Sequence, residues 1–363
     1  MLVPPWYELP PPGYGGLEQM CAALVDALVA RGHDVTVIGA GTRSDTAATF
    51  LSTIDEPQHL RLGEGLPELL HVGRANQLLE AGEFDIVHDH STAGLLSAGV
   101  RSAPTVATVH NSPSGEIGDY LVSLGRSVSL VAISEAQQLS RPELPWTSVV
   151  YNGLSSDQIP GYIPDGRPPA RRPVLWLARF TPDKGPDLAI RACRAAGVPL
   201  VLAGKCTEPG ERRYLSEVIA PMLGPDTELV LNANRQRSQA LIRAARCLIM
   251  PIRWQEPFGM VMVEAMAAGT PVVALNRGAV PEVVDQGVTG LICQDEAELP
   301  DALADVTTLD PHACVRHVKR SFSAELMASR YEQVYRKVIR ESSLAANSLA
   351  LNVAVPSASP SVA

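Results

Sequence analysis

Short runs of apolar and β-branched residues alternate with helical patterns along most of this chain. Such alternation is typical of parallel strands joined by crossover helices. The predicted strands are VTVI (35–38), DIVH (85–88), TVATV (105–109), LVAI (130–133), SVVY (148–151), VLWLA (174–178), PLVLA (199–203), ELVL (228–231), CLIM (247–250) and VVAL (272–275). The pattern therefore predicts an α/β protein built on doubly wound parallel sheets.

The alternation is interrupted near the middle of the chain, at residues 155–173. This segment, SSDQIPGYIPDGRPPARRP, is rich in proline, glycine and charge, as linkers are. A chain of 363 residues also exceeds what one hydrophobic core usually organises. We therefore predict an N-terminal domain over 1–160 and a C-terminal domain over 161–320. Ligands of such sheets bind at the carboxyl ends of strands, which points to the cleft between the domains.

The two ends of the chain depart from this pattern. The opening MLVPP contains only two or three residues of a first strand, so that strand is stunted or begins upstream of Met1. A final helix is predicted within 321–340, with one apolar stripe that should pack on a domain. The stripe consists of Leu326, Tyr331, Val334, Tyr335 and Val338. Residues 341–363 are small and polar, and we expect a poorly ordered tail there.

Charge and composition exclude several classes of protein. The net charge of −9 argues against nucleic acid as a partner. No run of 18 apolar residues and no charged-then-apolar start is present in the sequence, so we expect a cytoplasmic protein that meets a membrane at most peripherally. The six cysteines have no short pair spacing, which predicts reduced core residues and no zinc site.

The segment EPFGMVMVE, residues 256–264, is the best indication of chemistry. It joins a predicted strand to a predicted helix, and it has a glutamate at each end. Gly259 lets the backbone approach a ligand, and the free N–H groups of a first helical turn suit an anion such as phosphate. Glu256 and Glu264 can then accept hydrogen bonds from hydroxyls on different parts of one elongated ligand. The alternative is two solvated carboxylates.

A pair of cations follows the predicted strand VLWLA in the same half of the chain. Only four of the 30 basic residues are lysine, and Lys184 lies five residues after Arg179 in the loop ARFTPDKG. Arginine gives forked contacts and lysine a point charge, so the two can neutralise a diphosphate. An ordinary solvated loop is the alternative. Lys205 is a weaker candidate, and we expect Glu282, in RGAVPE, to cap a helix or bridge two segments.

The first domain contributes a glycine pair and several histidines. Gly15 and Gly16 precede a helical pattern and offer backbone amides to an anion, although the full dinucleotide fingerprint is missing there. His110 follows the strand TVATV directly and is the favoured histidine for a ligand in the cleft. In the segment HDH (88–90) we interpret the alternating residues as pointing to opposite faces, so the two imidazoles are not expected to share a metal ion.

Several of these motifs together resemble the family-four retaining glycosyltransferases of GT-B architecture. The likeness extends from about Pro4 to about Ile339 and is most specific over 174–293. It rests on PPPGYGGLE, ARGHDVTV, TVHN, YNGL, ARFTPDKG and EPFGMVMVEAMAAGTPVVA with the following RGAVPEVV and GVTGL. The resemblance implies two Rossmann-like domains that face each other across a cleft, with the final helix crossing back to the first domain.

The resemblance also implies a role for each candidate residue. It implies that Arg179 and Lys184 contact the donor diphosphate and that Glu264 contacts the ribose hydroxyls. Glu256 would contact the transferred sugar and the β-phosphate, together with the backbone amides of Phe258, Gly259, Met260 and Val261. Gly16 would approach the same phosphate, and His110 would contact the sugar. The expected reaction moves a hexose from a UDP- or GDP-sugar to a hydroxyl of a small or lipid-linked acceptor and keeps the anomeric configuration. No cofactor or metal is expected, since the sequence has no DxD triad. A sugar-nucleotide epimerase and a non-catalytic sugar-nucleotide-binding protein remain alternatives.

Overall fold

A computed structural model describes residues 1–11, 15–164 and 172–353, with the backbone alone for 345–353. The first part of the chain forms parallel strands separated by helices. Its strands are β1 (Thr36–Ala40), β2 (Thr49–Ile54), β3 (Val87–Asp89), β4 (Thr105–Val109), β5 (Ser129–Ala132) and β6 (Trp146–Val149). Its helices are α1 (Gly16–Ala30), α2 (Gly65–Ala81), α3 (Gly115–Ser123) and α4 (Glu135–Ser140).

The first strand of this domain is reduced to a bridge at Leu2. Leu2 pairs in parallel with Ile38 of β1 on one side and with Asp89 of β3 on the other. It thereby joins the pair β1–β2 to the four strands ordered β3-β4-β5-β6. Its side chain is fully buried. The few residues before Pro4 are thus paired on both sides.

The second part of the chain forms a separate six-stranded parallel sheet. Its strands are β7 (Val174–Leu177), β8 (Leu200–Gly204), β9 (Thr227–Leu231), β10 (Cys247–Met250), β11 (Val272–Leu275) and β12 (Gly290–Cys293). Its helices are α5 (Pro186–Ala196), α6 (Pro209–Tyr214), α7 (Arg235–Ala244), α8 (Met260–Ala267), α9 (Val280–Val283), α10 (Leu299–Asp305) and α11 (Pro311–Ser321). The strand order is β12-β11-β10-β7-β8-β9. The carboxyl ends of β11, β10 and β7 are thus neighbours, which brings their following loops together.

Two strands, β2 and β12, were not predicted. β2 has the sequence TFLSTI and lies at the edge of its sheet, mostly in partial contact with solvent. β12 has the sequence GLIC, begins with glycine and lies at an edge of the six-stranded sheet, beside β11 only. Edge strands bury less apolar surface than central ones, so their hydrophobic pattern is weaker.

The last helix, α12 (Ala324–Val353), crosses back to the first domain and packs against α1. Tyr331, Val334, Tyr335 and Val338 are buried as predicted, while Leu326 is only partly buried. Of the tail that we expect to be poorly ordered, residues 341–353 continue this helix through SLAANSLALNV. That segment lacks proline and glycine and is rich in alanine and leucine, the best helix formers. The rest of the predicted tail, 354–363, lies outside the described residues.

The predicted state of the cysteines is confirmed, since all six are free thiols in buried positions. Among the residues described, no helix combines the length and the apolar character that crossing a bilayer requires.

Candidate active site

The loops after β7 and β10 are locked to each other at the carboxyl edge of the second sheet. Arg253 N donates to Asp183 O at 2.8 Å, and the Arg253 guanidinium makes two bonds of 2.7 Å to the Asp187 carboxylate. Gly185 has a φ of 65°, and a Cβ there would lie 2.1 Å from Pro251 O. Only glycine fits this approach, so the loop of Lys184 is held rigidly beside the loop of EPFG.

The loop after β11 closes the same edge from the other side. Ala279 N donates to Glu256 O at 2.9 Å, and Gly278 N donates to Gln255 Oε1 at 2.6 Å. Gly278 has a φ of 55°, and a Cβ there would lie 2.3 Å from Glu256 O. The loops after β7 and β11 therefore hold the loop after β10, which carries Glu256.

Lys184 and Glu256 form an ion pair at this edge. Lys184 Nζ lies 2.8 Å from Glu256 Oε2, and their side chains are only 16% and 13% exposed. An ammonium has three N–H groups, so two remain for another anion. Glu256 Oε1 makes no hydrogen bond within the described chain and is free to accept one from a hydroxyl. The pair therefore offers donors and an acceptor side by side.

Trp254 holds both members of this pair. Its indole Nε1 donates to Glu256 Oε2 at 3.1 Å, and Lys184 Nζ lies 4.2 Å from the centre of its ring. A cation over a tryptophan face is attracted by the ring quadrupole. Trp254 was not predicted as a site residue. Its position two residues before Glu256 could have indicated that its side chain contacts the Glu256 carboxylate.

We expect Trp254→Phe to lower kcat/KM about tenfold, because it removes the N–H bond to a charged carboxylate but keeps a ring face for Lys184. Trp254→Ala should lower it several-fold further, since the ring is lost as well. Steady-state kinetics with the donor varied measures both. Trp146→Phe is a matched control, because its indole donates to Arg141 O in the first domain. Full activity in Trp254→Ala would contradict this assignment.

Gly259 starts helix α8 in the conformation that the sequence suggested. Its φ is 85°, in the left-handed region, and a Cβ would lie 2.6 Å from Met262 Cε and 3.3 Å from Glu256 Cγ. The predicted amides of Phe258, Gly259, Met260 and Val261 thus lie beside Glu256 at the start of an eight-residue helix. Such a terminus suits an anion.

Glu264 lies one turn further along α8, in a different environment. It lines a cavity of about 70 Å³ that opens to solvent, together with Arg235, Gln158 and Ser238 among other residues. Burial raises the pKa of the Glu264 carboxyl to about 7, and the charge of Arg235 opposes part of that rise. The two predicted carboxylates therefore lie in different surroundings. Glu256 forms an ion pair, and Glu264 lines a cavity.

Arg179 also lies at this edge, in the loop after β7. Its guanidinium makes no hydrogen bond or ion pair with any residue that the structure describes, and it is partly exposed. Within the described chain no polar contact ties it to Lys184 or Glu256, and its contact with a diphosphate stays a prediction. Lys205 differs, because it faces Glu208 at 3.9 Å.

The two domains are bridged at two points beside these loops. Glu282 accepts from Glu135 N at 2.7 Å, from Ala136 N at 2.6 Å and from Tyr151 OH at 2.9 Å. It thus caps a helix of the first domain from the second, so the predicted capping and bridging are both confirmed. Arg235 Nη1 donates to Gln19 Oε1 at 2.6 Å.

The bond to Gln19 places the first turn of α1 opposite the start of α7. Gly16 begins α1 and is exposed, and a Cβ there would meet nothing within 4 Å. Gly16 is therefore open to solvent at the start of this helix. Its contact with a phosphate stays a prediction.

His110 lies at the carboxyl end of β4, as expected, and belongs to a cluster of histidines. His90 Nδ1 lies 2.9 Å from His110 Nε2, and the rings of His88 and His90 are 4.0 Å apart. Burial lowers the pKa of His110 to about 4 and those of His88 and His90 well below the usual value. The expectation that His88 and His90 point to opposite faces was wrong, because residues i and i+2 of a strand share a face.

The comparisons with known proteins cover both halves of the chain. Residues 14–158 match the protein family Glycosyltransferase Family 4, and residues 165–313 match Glycosyl transferases group 1. The chain is a family 4 glycosyltransferase. It is 27% identical over 396 residues to glycogen synthase of Mycobacterium tuberculosis, a match that covers 91% of this chain and 92% of that relative.

Solved structures agree with this glycosyltransferase in fold. Sucrose-phosphate synthase from Thermosynechococcus elongatus superposes with a TM-score of 0.74 at 21% identity, covering 94% of this chain and 98% of that one. Anabaena HepE in complex with UDP and glucose superposes with a TM-score of 0.66 at 21% identity, covering 88% and 95%. The two parallel-sheet domains thus have the predicted GT-B architecture.

Proposed function

We propose that this enzyme is a retaining, metal-independent glycosyltransferase that moves a hexose from a nucleotide diphosphate-sugar to a hydroxyl acceptor. The observation that carries the proposal is the Lys184–Glu256 pair beside the Gly259 helix start. A cation and free amides there suit the diphosphate, while the open oxygen of Glu256 suits a sugar hydroxyl. Arg179, which has no partner in the described chain, supplies a second cation.

The chemistry follows from where charge develops. In the transfer, the bond between the sugar's anomeric carbon and the β-phosphate oxygen breaks, and the acceptor oxygen bonds to that carbon from the same face. Negative charge grows on the departing diphosphate, so positive groups fixed there in advance stabilise the transition state. Lys184 is fixed in this sense by Glu256, Trp254 and the locked loop around Gly185.

The donor extends, in this proposal, from the Lys184 edge towards the cavity at Glu264. Glu264 then binds the ribose hydroxyls, His110 contacts the sugar and Gly16 approaches the β-phosphate. One of the similar solved structures supports a nucleotide-sugar donor, since HepE was solved with UDP-glucose. D-inositol 3-phosphate glycosyltransferases, which are 28 to 30% identical to this chain, are named for a small alcohol. We propose a UDP- or GDP-sugar as donor and a small or lipid-linked alcohol as acceptor.

Incubation with UDP-glucose, UDP-galactose and GDP-mannose, with and without a panel of alcohol acceptors, tests this function. We expect nucleoside diphosphate to be released faster when the right acceptor is present, together with a product of donor-sugar mass plus acceptor. The anomeric configuration of that product, read by NMR, tests retention. An isomerised donor without glycoside would indicate an epimerase instead, and tight binding without turnover across the panel would indicate a binding protein.

We expect EDTA to leave the transfer rate unchanged, because fixed protein cations at Arg179 and Lys184 take the place of a metal at the diphosphate. The measurement is the initial rate with and without EDTA, after dialysis against chelator. A loss of activity that magnesium restores would contradict metal independence while leaving the transferase assignment in place.

A further inference from the structure

The histidine cluster of the first domain contains an arrangement that fixes the protonation of His110. His90 uses Nδ1 for its contact with His110 Nε2, at 2.9 Å. Its other nitrogen, Nε2, is buried and has no hydrogen-bond partner among the described residues. The His90 side chain is only 5% exposed. His90 therefore has one bonded and one orphaned nitrogen.

Two proton arrangements are compatible with this contact when both rings are neutral. In one, His90 donates from Nδ1 and keeps a bare Nε2. In the other, His110 donates from Nε2, and the proton of His90 sits on the orphaned Nε2. The second leaves a buried N–H without an acceptor, and orphaned buried N–H groups are rarer than orphaned acceptors. The first arrangement is therefore favoured.

The remaining nitrogen of His110 is the one that a ligand can reach. His110 Nδ1 makes no hydrogen bond within the part of the chain that the structure describes, and this atom is not buried. The ring is partly exposed at the carboxyl end of β4. If Nε2 accepts from His90, the single proton of neutral His110 must lie on Nδ1.

We propose that His90 is a positioning residue that fixes His110 as its Nδ1–H tautomer, so that His110 presents a hydrogen-bond donor to an oxygen of the bound substrate. The part that concerns substrate rests on the proposed function; the tautomer itself does not. His90 is held in turn, since its backbone N donates to Leu2 O at 2.9 Å and its ring packs on His88.

His88 is anchored so that this packing is rigid. Its Nδ1 lies 2.7 Å from Tyr335 OH, and its Nε2 lies 2.7 Å from Thr108 Oγ1, which in turn lies 2.6 Å from Tyr331 OH. Both nitrogens of His88 are thus satisfied by groups on β4 and α12. His88 therefore has no nitrogen left to pair with the orphaned atom of His90.

The test is the ¹⁵N spectrum of the full-length protein labelled at histidine, at pH 7.5, because protonated and bare ring nitrogens have widely separated shifts. His110→Gln assigns the His110 signals. We expect a protonated Nδ1 and a bare Nε2 at His110. A protonated Nε2, or averaged shifts that indicate exchange between tautomers, would overturn the proposal whatever the enzyme's activity.

Two substitutions of His90 separate positioning from packing. His90→Asn keeps a donor close to the place of Nδ1, and we expect it to retain the Nδ1–H tautomer and most of kcat. His90→Asp replaces the donor by an acceptor, and we expect a protonated Nε2 at His110 while kcat falls about three- to tenfold. Thermal unfolding checks that both variants fold. Unchanged His110 shifts in His90→Asp would overturn the proposal, and intact shifts with no transferase activity in any variant would instead count against the proposed function.

Discussion

Lys184→Ala should lower kcat by about two to three orders of magnitude, the usual effect of removing one fixed donor from an oxyanion site. The ammonium stands beside Glu256 at 2.8 Å with two N–H groups to spare, and the loop that carries it is locked to the EPFG loop. Its action is strongest where charge develops, on the leaving diphosphate. Saturating donor should therefore not restore the rate. Single-turnover and steady-state rates of sugar transfer are the measurements.

The effect on folding should be small by comparison. The Lys184 side chain is partly exposed, and Trp254 Nε1 still donates to Glu256 after the lysine is removed. Lys319→Ala is a matched control, since Lys319 is exposed on α11 of the same domain. We expect circular dichroism and the melting temperature of Lys184→Ala to stay close to those of this control. Normal turnover in a folded Lys184→Ala protein would remove Lys184 from its assigned role.

Glu264→Ala should weaken donor binding about 10- to 100-fold, because hydrogen bonds to a charged carboxylate contribute about 1.5 to 3 kcal/mol. The carboxyl lines the cavity beside Arg235. Calorimetric titration with the best UDP- or GDP-sugar measures the loss. Glu217→Ala is the matched control, since Glu217 is exposed elsewhere in the second domain. Intact affinity in Glu264→Ala would refute the ribose assignment.

The pH dependence of donor binding is a second test of the role of Glu264. Burial raises the pKa of Glu264 to about 7, so the carboxyl is protonated in most molecules at pH 6. A carboxylate accepts ribose hydroxyls better than a carboxylic acid does, and binding must then expel the proton. Donor affinity should therefore fall by up to about tenfold per pH unit below pH 7 and level off above it. Glu264→Gln cannot titrate and should lose this dependence.

Much of the fold could be predicted from the chain alone. CLIM and VVAL were assigned to their residues because β10 and β11 are central strands with all four side chains buried. β2 was missed because three of its six residues are threonine or serine and it lies at an edge. The end of α12 was missed because its last segment has few large apolar residues to form a stripe, although alanine and leucine are good helix formers.

The candidate site divides in the same way. Glu256, Gly259 and Lys184 were found because glycine at a helix start and charges after strands follow local rules. Trp254 was not found, and the contact of His90 with His110 was not foreseen, because both depend on residues that are distant along the chain. Glu282 was expected to cap a helix or to bridge two segments, but its position between the domains and its partners on α4 were not foreseen.

The sequence by itself determined the class of fold, the division into two domains and the residue types at the strand ends, because apolar periodicity and turn chemistry act over a few neighbouring residues. The tertiary structure alone decided which of those residues meet. Lys184 and Glu256 are 72 residues apart and touch because β7 and β10 are adjacent in the sheet. The order of strands is set by packing over the whole domain, and short-range pattern does not encode it.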